Sequence, residues 1–138
     1  MGTVVATGVF DILHPGHIFF LEEAKKLGDE LIVVVARDKT VKRRKNNPVI
    51  PEKQRLEVVK ALKPVDKALL GDEGDLFKPI QEINPDIIAL GRDQHFDEEW
   101  LVKELRKRGL RAKVVRLEGY LNGGLSGSRK IIDKIRKC

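Results

Sequence analysis

Short apolar runs rich in β-branched residues alternate along the chain with longer stretches of helical period. Five runs, residues 3–7, 30–36, 67–70, 87–90 and 112–116, predict strands. Most are nearly continuous in apolar character, as strands covered on both faces are. Between the first two, residues 18–27 place Ile18, Leu21 and Ala24 on one face and Glu22, Lys25 and Lys26 outside it. That pattern predicts a helix, stopped by Gly28 as a C-terminal cap. Residues 51–62 open on Pro51 and Glu52, carry Leu56, Val59 and Leu62 at helical spacing, and end before Pro64. Residues 76–83, 98–108 and 128–136 predict three further helices. Strands and helices in this alternation predict an α/β fold, an open parallel five-stranded sheet with helices on both faces.

Repeats, low-complexity stretches and linkers are absent from the sequence, which predicts one domain over residues 1–138. Residues 39–51 stand out as a polar, basic connection with Lys42, Arg43, Arg44, Lys45 and Pro48. Read as a loop, it is longer than most βα connections, and loops of that length are often functional.

Composition changes this picture little. A chain of 138 residues can bury a core without disulfides or structural zinc, and its single cysteine, Cys138, allows neither. A reducing, cytoplasmic location is expected, with no secretory leader and no membrane span. The formal charge of +6 would suit a polyanionic partner. Lys25, Lys26, Lys103, Arg106, Lys107 and Arg108 are spread along the helices, however, and read as solvated faces.

Candidate chemistry sits at the first strand-to-helix junction, Thr7-Gly8-Val9-Phe10-Asp11-Ile12-Leu13-His14-Pro15-Gly16-His17. In an open parallel sheet the carboxyl ends of the strands form the ligand crevice. Gly8 and Gly16 would let backbone approach a ligand closely. His17 falls where a helix start attracts phosphate and favours a neutral imidazole. Two histidines three apart could each donate to a phosphate oxygen and stabilise charge building up at an attacked phosphorus. A helix cap plus a surface residue, or a pair of metal ligands, is the competing reading.

Gly8-Val9-Phe10-Asp11 followed by His14-Pro15-Gly16-His17 resembles the GxFD…HxGH signature of the cytidylyltransferase-like nucleotidyltransferases, and within them the archaeal-type FAD synthases. The likeness extends through Arg37-Asp38, Pro51-Glu52-Lys53-Gln54-Arg55, Val65-Asp66, Gly91-Arg92-Asp93-Gln94 and Gly124-Leu125-Ser126, in that order. It implies a Rossmann-like fold and attack by an acceptor phosphate on the α-phosphate of a nucleoside triphosphate, without a covalent intermediate. His14 and His17 would be the catalytic pair. Gly8, Val9, Phe10, Asp11, Pro15, Gly16, Asp93, Tyr120, Ser126 and Ser128 would line the nucleotide site beside them. In that site Val9 and Phe10 would act through their backbone, and Asp11 would orient the loop or the metal rather than serve as a base. Ser128 and Asp93 also suit plain capping roles. Lys42, from the basic segment, and Arg55, from the family's helix position, are the expected further phosphate contacts. Mg²⁺ or another divalent cation would arrive with ATP, since the chain shows no carboxylate cage of its own.

Two departures bear on the substrate. Arg92 replaces an aromatic residue of the archaeal-type FAD synthases, and residues 116–124 exceed the corresponding run of the glycerol-3-phosphate cytidylyltransferases. The longer segment points to a large acceptor, so ATP and FMN are the expected substrates. CTP with glycerol 3-phosphate or another small phosphate is the enzymatic alternative. A basic nucleic-acid-binding module is the alternative of another class, disfavoured because phosphate tracking needs no H-x-G-H. A homodimer fits the exposed sheet edges.

Overall fold

The protein is seen here in a computed structural model that describes residues 2–44, 48–91, 97–117 and 128–137. Five strands, β1 (Thr3–Gly8), β2 (Glu30–Val35), β3 (Lys67–Leu70), β4 (Ile87–Leu90) and β5 (Lys113–Arg116), form one sheet in the order β3-β2-β1-β4-β5. Every neighbouring pair is parallel; Val5, at the middle of β1, lies opposite Ile32 on one side and Ile88 on the other. The chain therefore builds outward from β1 in one direction through β2 and β3, then returns to its other side through β4 and β5. This reversal opens a crevice beyond the carboxyl ends of β1 and β4.

Six helices complete the described structure: α1 (Pro15–Lys25), α2 (Asp38–Arg44), α3 (Glu52–Lys60), α4 (Phe77–Ile83), α5 (Glu98–Lys107) and α6 (Ser128–Arg136). Period-two alternation divides the strand side chains between two layers. Val4, Ala6, Leu31, Val33 and Val35 face Leu21 and Ala24 of α1 and Val59 of α3. Ile88 and Leu90 face the other way, onto Phe77 and Ile80 of α4 and Leu101 and Leu105 of α5. Val5, Ile32 and Val34 share that second side with Ile83 of α4. Both faces are covered, which is why the strands read as unbroken apolar runs.

Two local readings change. Residues 39–44, expected as loop, belong to the helix α2, Asp38–Arg44. The segment carries one buried apolar residue, Val41, which is too little periodicity to signal a helix. Gly28 is not a left-handed cap: α1 ends on Lys26 in ordinary right-handed geometry. A Cβ at Gly28 would lie 2.5 Å from the Gly2 carbonyl oxygen, so glycine is required there by close approach of the chain entering β1.

Candidate active site

The loop leaving β1 turns sharply at Phe10, whose φ of 54° is left-handed, a costly conformation for a bulky residue. The turn sends the Phe10 ring inward, where it is almost fully buried among Leu21, Val33 and Val35. Gly8 makes room for it, since a Cβ there would meet the ring at 2.8 Å. Within the protein, the close approach that Gly8 permits is that of the Phe10 ring.

α1 then begins on a reciprocal histidine cap. His14 is the N-cap in extended geometry, and its Nδ1 accepts from Gly16 N–H at 3.0 Å. His17, at the third helical position, returns the favour by accepting from His14 N–H on its own Nδ1 at 3.3 Å. This is a capping box with imidazoles in place of the usual hydroxyl and carboxamide. Its chemical consequence is a fixed tautomer. An Nδ1 that accepts carries no proton, so each neutral ring holds its proton on Nε2 and presents a donor there. The cap reading and the phosphate-donor reading of His14 are therefore compatible, because they use different nitrogens.

The two rings lie 3.9 Å apart between centroids, and Phe10 sits 5.5 Å from His17 on the inner side. Burial, then the neighbouring His14, lowers the His17 pKa to about 4, with Asp11 opposing. His17 is accordingly neutral near pH 7. The neutral form was expected from the helix dipole; desolvation is the larger cause here.

Asp11 ties this loop to the segment before α3: its two carboxylate oxygens accept from Val49 N–H at 2.9 Å and Ile50 N–H at 2.7 Å. Of the roles open to it, orienting the loop is the one these bonds perform.

Arg55 is a correction. In place of an open phosphate contact, the structure has a side chain with no exposed surface, spent on the protein itself. Its Nε donates to Ile50 O at 2.8 Å, Nη1 to Val9 O at 2.7 Å and Ala36 O at 2.8 Å, and Nη2 to Asp38 Oδ1 at 2.6 Å. Asp38 and Glu52, which were not among the expected site residues, clasp the starts of α2 and α3 together: Asp38 N–H donates to Glu52 Oε1, and Glu52 N–H to Asp38 Oδ2. The signal for Arg55 was its position one turn before Val59, on the inward face of α3, where both are buried.

Lys42 stands exposed on α2. Ser128 is the first residue of α6. Asp93, Tyr120 and Ser126 lie outside the described residues, as does the side chain of Ser128. Pro15 and Gly16 form the first turn of α1. Among the described residues no three His, Cys, Asp or Glu side chains gather into a metal-binding cluster, and no helix is long and apolar enough to cross a membrane.

The family model described as cytidylyltransferase-like matches residues 5–134. A curated FAD synthase from Ferroglobus placidus is 64% identical over 98% of this chain and 88% of its own length. Another, from Archaeoglobus fulgidus, is 63% identical over 95% of each chain. Among solved structures, one described as a lipopolysaccharide core biosynthesis protein from Thermoplasma volcanium superposes with a TM-score of 0.85 at 53% identity, covering 86% of this chain and 98% of that one. Pantothenate synthetase from Thermus thermophilus, at 14% identity and a TM-score of 0.60 over 86% of this chain and 56% of its own, shares the fold.

Proposed function

Because the chain belongs to the cytidylyltransferase-like family of nucleotidyltransferases, we propose that it is an FAD synthase, transferring AMP from ATP to FMN with release of pyrophosphate. Its identity to curated FAD synthases across nearly its whole length supports the substrate pair. The single geometric observation that carries the chemistry is the histidine cap at the start of α1, in which both Nδ1 atoms accept, so that each neutral ring carries its proton on Nε2.

In this reading the terminal phosphate of FMN attacks the α-phosphorus of ATP. A P–O bond forms to the acceptor oxygen, the bond to the β-phosphate oxygen breaks, and the electron pair leaves with pyrophosphate. The nucleophile needs no base, because a phosphate monoester is largely ionised at neutral pH, its second pKa being about 6. What the site must supply is stabilisation of charge on the non-bridging oxygens, and His14 and His17 donate there through Nε2–H. Neutral donors held by their own backbone bonds are pre-oriented and need no reorganisation as charge develops.

The remaining nucleotide-site residues keep their roles as part of this proposal. Gly8, Val9, Phe10, Asp11, Pro15 and Gly16 line the nucleotide site, Val9 and Phe10 through their backbone and Asp11 by orienting the loop; Asp93 and Tyr120 flank the nucleoside, and Ser126 and Ser128 with the start of α6 meet the triphosphate. Lys42 is the cation offered to the leaving pyrophosphate. With both Asp11 oxygens accepting from amides, the divalent ion arrives as part of the substrate, Mg²⁺ carried on ATP. A cytoplasmic location and a homodimer complete the reading; the latter is checked by light scattering.

The test is direct. Purified protein with ATP, FMN and Mg²⁺ is expected to yield FAD and pyrophosphate in equal amounts. Failure to do so, together with pyrophosphate release from CTP and glycerol 3-phosphate, replaces FAD synthesis with cytidylyl transfer.

A further inference from the structure

We propose that Arg55 is a positioning residue that sets the catalytic loop by fixing the peptide between Val9 and Phe10, and that it does so without touching phosphate. A buried guanidinium costs several kcal/mol to desolvate unless its donors are met. Here they converge on three carbonyls and one carboxylate from separate parts of the chain. Val9 leaves β1, Ala36 leaves β2, Ile50 precedes α3 and Asp38 opens α2. One side chain thus cross-braces the ends of β1 and β2 with the starts of α2 and α3.

The bond to Val9 O is the consequential one. It holds the peptide plane that enters Phe10, the residue strained into left-handed backbone. Phe10 in turn places its ring against His17, 5.5 Å between centroids. Arg55 therefore reaches the histidine pair through one peptide and one ring. The bond to Ile50 O, with the Asp11 bonds to Val49 and Ile50 N–H, grips the segment before α3 from two sides. Lysine could keep the charge but cannot serve four directions with a rigid planar fork.

The proposal rests on the reaction above for its kinetic readout and not for its spectroscopic one. The chain has three histidines, so the imidazole ring protons of His14 and His17 can be resolved by NMR in the protein without substrates. In Arg55→Lys both resonances are expected to shift, kcat for FAD formation to fall about tenfold or more, and KM for ATP to stay within about threefold. Guanidinium ion is expected to restore part of the loss in Arg55→Ala, and ammonium is not. A raised KM for ATP with unmoved resonances and unchanged kcat would make Arg55 a phosphate ligand and overturn the proposal. So would a lower melting temperature with resonances and kcat unchanged, which would leave Arg55 only structural. Should both Arg55 variants fail to fold, Asp38→Ala removes the Nη2 acceptor together with the acceptor of Glu52 N–H, while leaving the Val9 bond in place; moved resonances and a fall of about threefold or more in kcat support the proposal, and neither change sinks it. Wild-type protein that makes no FAD would refute the reaction while leaving the resonance comparison to decide the role of Arg55.

Discussion

In the proposed reaction His14 and His17 each do two jobs with two nitrogens, and substitution can separate the jobs. Asparagine is a good N-cap. His14→Asn is therefore expected to keep stability within about 0.5 kcal/mol in urea melts, while turnover falls by a factor of about 100 or more through loss of one electrostatic donor. His17→Ala should lower turnover by the same order, about 100-fold or more, and weaken ATP binding less. Unchanged turnover in either variant removes that histidine from the chemistry. The depressed His17 pKa also has a sign. Folded protein holds this imidazole neutral down to about pH 4, whereas the unfolded chain protonates it near pH 6.5. Stability contributed by the neutral ring is present above about pH 6.5 and is lost as pH falls toward 4, at no more than about 1.4 kcal/mol per pH unit. His17→Gln keeps a cap-competent side chain but cannot titrate. Its melting temperature should fall less steeply across that window than that of the wild type, and parallel profiles would contradict the assignment.

Where β1 hands over to α1, packing rather than propensity sets the geometry. The Phe10 ring occupies the space a side chain at Gly8 would need, and the core closes behind it. Gly8→Ala is expected to cost about 1–3 kcal/mol as an overpacked site, measured by urea unfolding, and to move the ring that touches His17. A variant as stable as wild type would mean that the ring can yield. α2 and α3 are joined in a comparable way, since Asp38 and Glu52 exchange backbone-to-carboxylate bonds across 14 residues of chain. Neither helix start is capped from its own first turn alone; α2, with Val41 as its one buried apolar residue, also lacks the apolar spacing that made α3 legible.

On the scale of the whole molecule, two apolar layers lie back to back on one sheet and cannot dissolve independently without exposing its strands. Trp100, the single tryptophan, lies 5.9 Å from Phe77 and reports the α4/α5 side. Backbone circular dichroism reports all elements. Their urea transitions are expected to coincide, as for one cooperative domain; two separated midpoints would divide the chain into two units.

The sequence by itself determined the strands, five of the six described helices to within a few residues, and the loop that joins β1 to α1. Those features are local: β-branched runs, helical spacing, and a glycine-framed histidine pair between a buried strand and a helix. Tertiary structure decided the strand order that puts β1 beside β4, and it decided the fate of Arg55. A cation one turn before a buried valine reads equally well as a phosphate ligand or as a brace. Only the fold brings Val9, 46 residues away, and Ala36, 19 residues away, within reach of its guanidinium. Burial enforces that outcome, because a charge withdrawn from water must find every partner inside the protein.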